Sequence, residues 1–145
     1  MRTSAHLKPP PRKSPLQDRH LIASGALLML LAVALGAFGA HALKPLLSAD
    51  MLAIWHTAVL YQMMHALGGI ACGILMPRNP QQSTKIALAG GFMLVGIVVF
   101  SGSLYLLALT GLRWLGAITP IGGVAFLAAW GMLGWAVWRS GETNA

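Results

Sequence analysis

WHTAVLYQMMHAL, residues 55–67, brings together more side chains able to do chemistry than any other apolar stretch of this chain. It holds His56, Tyr61, Gln62 and His65. An imidazole can pass a proton, act as a base or bind a metal, while a phenol and an amide can donate and accept hydrogen bonds. Read as a helix at about 100° per residue, the stretch puts Tyr61, Gln62 and His65 on one face, flanked by small Ala58 and Ala66. His56 points the opposite way. Polar groups elsewhere in apolar surroundings are His41, Ser101, Tyr105 and Thr119.

Several mechanisms lose ground at once. The acids Asp18, Asp50 and Glu142 lie outside every apolar run, so a carboxylate-based ion or proton relay has no material. His41 and His65 differ in expected depth by about 15–20 Å, which argues against a shared haem or metal. Ser101 and His65 could form a nucleophile–base pair, but no third residue orients the base. Cys72 stands alone, without a CxxC or Cys/His spacing, and reads as a small packing residue. The expectation is a non-enzymatic protein with no catalytic residue, no metal and no cofactor.

The elements that position these residues follow from composition. Of 145 residues, 57% are hydrophobic and 9% charged. A soluble domain carries about 25% charged residues, so this chain has too little charge to cover a water-facing surface. It reads as an integral membrane protein. The fold class expected is all-α, a four-helix transmembrane bundle, with helices over about 21–41, 51–75, 86–109 and 118–138. This transmembrane domain spans 20–139, between a disordered, basic, proline-rich tail at 1–19 and a short tail at 140–145.

The net charge of +7 does not point to nucleic acid. Arg2, Lys8, Arg12, Lys13 and Arg19 precede the first apolar run and the other cations flank later runs, the pattern of topogenic charge. With the N-terminus inside, those five join Arg78, Lys85 and Arg139 on one side, leaving Lys44 and Arg113 on the other. The positive-inside rule then places both termini in the cytoplasm. A competing reading is a signal peptide cleaved after Ala40-His41-Ala42, which would leave three spans in the same orientation. The partner expected is the lipid bilayer, and a homo-oligomer or another membrane protein stays open.

In this arrangement polar and small residues from all four helices gather in the outer half of the bilayer. Gly36, Gly39 and His41 come from the first helix, Tyr61, Gln62 and His65 from the second, Ser101 and Tyr105 from the third, Thr119, Gly122 and Gly123 from the fourth. The GxxxG pair Gly69/Gly73 lies further in. One reading is an interhelical hydrogen-bond layer, a scaffold or partner-binding element. The alternative is an outward-facing cavity around His65 that binds a small molecule or passes a proton.

GAFGAHAL at 36–43, TAVLYQMMHAL at 57–67, FSGSLYLLALTG at 100–111 and ITPIGG at 118–123 together resemble the YgdD-like family of small bacterial inner-membrane proteins, a domain of unknown function. The resemblance covers about residues 21–138 in order and implies four helices with the first retained. It implies no reaction. The tail at 1–19 departs from the family's pattern.

Overall fold

The computed structural model describes residues 15–142, with side chains from 17 to 140, and every regular element among them is a helix. The elements are α1 (Pro15–Phe38), α2 (Ala49–Leu75), α3 (Ser83–Gly96), α4 (Gly102–Thr110) and α5 (Leu115–Glu142). A π-helical turn, Gly39–Leu43, extends α1, and a second, Ile97–Ser101, joins α3 to α4 in one rod. The chain thus has four helices long and apolar enough to cross a membrane: Gln17–Leu43, Ala49–Arg78, Ser83–Thr110 and Leu115–Ser140.

Local chemistry sets the ends. Ser48 is extended and its hydroxyl accepts from the Met51 amide at 3.3 Å, an N-cap that starts α2 at Ala49. Pro77 and Pro80 follow α2 and prevent its continuation. Gly111, at φ 71°, takes the left-handed conformation after α4, and its amide bonds the Leu107 carbonyl at 2.9 Å.

The helices run beyond the expected boundaries. Most clearly, α1 begins at Pro15, so residues 15–19 are helical and are not part of an extended tail. Proline lacks an amide hydrogen and is accommodated in a first helical turn, where that hydrogen has no intrahelical partner. Helical bonding then continues through polar Gln17–His20, because it does not depend on an apolar side chain at each step. Residues 1–14 and 143–145, the outer parts of the expected tails, lie outside the described residues.

Neighbouring spans are antiparallel because their connections, 44–48, 79–82 and 111–114, are short. The second span is half buried, at 50%, against 17% for the first, which identifies α2 as central and α1 as peripheral. α2 packs on α1 along its length and on the α3–α4 rod, and α5 packs on that rod as well. At the end near Arg78, Leu21, Cys72, Ile86, Met93 and Leu133 form an apolar core. At the end near Lys44, Leu43, Trp55, Val59 and Ala108 form another. The polar groups lie between the middle of the bundle and this second end.

Close approach matters most at Gly122. A Cβ there would sit 2.5 Å from the Phe100 amide nitrogen and 2.9 Å from its Cα, so the backbone of α5 rests on the π turn itself. At Gly134, on the same helix, a Cβ would meet nothing within 4 Å. Gly122→Ala is therefore expected to lower stability by about 1–3 kcal/mol in thermal unfolding of the detergent-solubilised protein, as overpacked sites do. Gly134→Ala should leave the transition unchanged or raise it.

Candidate functional site

Gln62, 3% exposed, links three elements. Its amide Nε2 donates to the Leu28 carbonyl of α1 at 2.8 Å, and its Oε1 accepts from the Tyr105 hydroxyl of α4 at 2.9 Å. One turn-pair earlier on α2, the Trp55 indole Nε1 donates to the Leu35 carbonyl of α1 at 2.9 Å. Trp55 and Gln62 are seven residues apart, as are Leu28 and Leu35, so antiparallel α1 and α2 keep one register over both bonds.

Those carbonyls already accept helical amides, and each uses its second lone pair for α2. They can be reached because the residue four positions on, which overlies each carbonyl, is small. Ala32 overlies Leu28 and is fully buried; Gly39 overlies Leu35. A Cβ on Gly39 would lie 2.6 Å from Trp55 Nε1 and block the indole. Gly73 on α2 instead allows close approach of the helices, since a Cβ there would meet Ile22 and the Asp18 carbonyl of α1, so half of the GxxxG pair acts within the chain. Gly36, Gly69 and Gly123 make only ordinary contacts.

A second polar link joins α4 to α5. The Ser103 hydroxyl lies 2.9 Å from the Phe100 carbonyl and 2.9 Å from Thr119 Oγ1. A serine has one proton. When Ser103 donates it to Phe100, Thr119 donates to Ser103, and the two hydroxyls close the contact. Leu28, Gln62, Tyr105, Ser103 and Thr119 thus form two short chains that together tie all four spans.

His65 occupies a different seam. Its Nδ1 lies 2.7 Å from the Tyr61 carbonyl and must donate to it, which leaves the Nε2 lone pair as an acceptor. The imidazole stacks on Phe126 of α5, ring centroids 3.4 Å apart at 15°, with Trp130 at 6.2 Å. Tyr61 stacks on Phe100 at 4.4 Å. These rings fill the space between α2 and α5.

The sequence-predicted residues therefore separate. Gln62, Tyr105 and Thr119 lie in the hydrogen-bonded links; His65 lies in the aromatic seam. Tyr61 is 37% exposed, so the face expected to point inward is only partly inward: the phenol reaches the perimeter while its ring stays on Phe100. His41 is exposed on the π turn that ends the first span and does not join the cluster. Ser101 is fully buried, and its Oγ has no hydrogen-bond partner. Trp55 and Ser103 were missed as bonding residues, although the seven-residue spacing of Trp55 and Gln62 on one helix was available as a signal. The clefts at Lys85/Trp135 and at His20/Leu94 do not include His65 among their lining. Among the described residues no three His, Cys, Asp or Glu side chains are grouped to hold a metal.

Fold and site define a multi-helix membrane protein whose buried polar groups mostly find their partners within the protein, on backbone carbonyls and on one another. Residues 35–123 match the family model DUF423, a protein family of unknown function. A UPF0382 membrane protein of Staphylococcus saprophyticus is 51% identical over 75% of this chain and 88% of its own length. The UPF0382 membrane protein YwdK of Bacillus subtilis is 49% identical over the same shares, 75% and 88%. No solved structure matches significantly. The chain belongs to the DUF423 (UPF0382) family of bacterial membrane proteins, whose matched members carry no assigned reaction.

Gly39→Ala should lower stability by about 1–3 kcal/mol through the clash with Trp55. Trp55→Phe, which keeps an aromatic but removes the donor, should lower it by about 1 kcal/mol. Thermal melts of the two variants in one detergent check both values.

Proposed function

We propose that this chain is a non-enzymatic inner-membrane scaffold or partner-binding element whose polar links hold four helices in one fixed arrangement. The observation that carries this reading is Gln62, whose single amide bonds α1 on one side and α4 on the other. Such bonds average about 0.6 kcal/mol in membranes, too weak to drive insertion but enough to select one helix arrangement among many of similar apolar packing. The lightly covered α1 offers the perimeter on which a second copy or another membrane protein would seat. The eight-to-two distribution of Lys and Arg supports both termini inside. A reporter fused to the C-terminus should then be active only in its cytoplasmic form; activity only outside would reverse the orientation.

One observation favours a second reading, a small-ligand site inside the bundle at the π turn of the third span. The Ser101 hydroxyl is buried without a partner at a π turn, and π turns recur at functional sites. Ser101→Ala separates the two. A scaffold loses only an unsatisfied group, so its unfolding transition should stay put or rise by about 1–3 kcal/mol. A site in which that hydroxyl holds a ligand or a water should be destabilised instead. In cells, a deletion strain with an envelope phenotype should be complemented by any variant that remains folded, His65→Ala included. A folded His65→Ala that fails to complement would favour the ligand site.

A further inference from the structure

We propose that the cleft between α3 and α5, at the Arg78 end, holds one anionic phospholipid. Its acyl chain would lie over Gly131 and Met132, with its phosphate at the Lys85 ammonium. The cleft measures about 450 Å³ and is lined by Lys85, Gly131, Met132 and Trp135, an apolar floor with one cation at its rim. Gly131 has no packing reason to be glycine: a Cβ there would meet nothing within 4 Å, so any larger side chain would occupy the cleft instead of a protein contact. Trp135 forms the wall, about half exposed, with the Arg139 guanidinium 5.1 Å from its ring centroid. Tryptophan beside Lys and Arg is the pairing found at the headgroup level of a membrane.

Charge selects the headgroup. The described side chains at this end include Arg19, Arg78 and Lys85 against the acid Asp18, whose carboxylate accepts from the Arg19 amide at 2.8 Å. Lys85 is exposed and has no carboxylate partner among the described residues. A zwitterionic headgroup brings its own cation and gains little from this rim, whereas an anionic one gains a counter-charge while its chain covers the groove.

The full chain, purified in a mild detergent, is titrated with phosphatidylglycerol and with phosphatidylcholine of the same acyl chains, and bound lipid is read by native mass spectrometry. Phosphatidylglycerol should be retained about fivefold better, the value of one lysine near a headgroup. Lys85→Gln should abolish that preference, whereas Lys44→Gln at the opposite end should keep it. Gly131→Leu should reduce occupancy by both lipids with an unchanged melting temperature. Equal retention of the two lipids, or a preference that survives Lys85→Gln, would overturn the proposal. Lys85 is exposed, so its variant tests the proposal even if Gly131→Leu does not fold.

Discussion

A polar group in hydrocarbon must find its partner inside the protein, because lipid offers none. In this bundle the donors of α2 satisfy that requirement on the backbone of α1. Trp55 and Gln62 reach the Leu35 and Leu28 carbonyls beside Gly39 and buried Ala32, and a Cβ on Gly39 would collide with the Trp55 indole. Small residues are thus more than spacers between helices here. They expose acceptors that larger side chains would hide, and the register of α1 on α2 follows from where they fall.

Everything else is arranged around that contact. Gln62 still has an acceptor to satisfy, and Tyr105 supplies the donor from α4. The π turn Ile97–Ser101 precedes α4, and Gly122 lets α5 lie directly on its backbone. Ser103 and Thr119 then close the α4–α5 contact. On the remaining seam, between α2 and α5, Tyr61, His65, Phe100 and Phe126 fill space by stacking, and His65 is held by its own helix through the Tyr61 carbonyl. Hydrogen bonds specify the neighbours of α2 on one side and ring packing on the other.

Much of this was legible in the residues. Four apolar runs of spanning length predict four helices, and composition alone excludes a soluble domain. The 3.6-residue period places Gln62 and His65 together, and both are buried. What could not be read has identifiable causes. The partners of Trp55 and Gln62 are backbone carbonyls, which every residue carries and no side-chain pattern marks. The π turns shift the helical phase by part of a turn without a proline to announce them, which sends His41 outward and leaves Ser101 enclosed. Apolar periodicity puts the helix ends too far inward because it stops where hydrocarbon does, whereas the hydrogen-bonded helix continues to a cap or a proline, as at Ser48 and Pro15. Tyr61 shared the right face but lies at its edge, and a helical wheel does not show how far a neighbour reaches.

Gln62 bonds α1 through its Nε2 and α4 through its Oε1, which makes it a joint between them and not a group that happens to be enclosed. A double-mutant cycle with Gln62→Leu and Tyr105→Phe, measured by reversible unfolding in bicelles, tests this most directly. A joint predicts a coupling energy of about 0.6–1.7 kcal/mol between the two sites, the range found for interhelical bonds in membranes. Strictly additive losses would mean that the two side chains are energetically independent and that apolar packing alone holds the helices together.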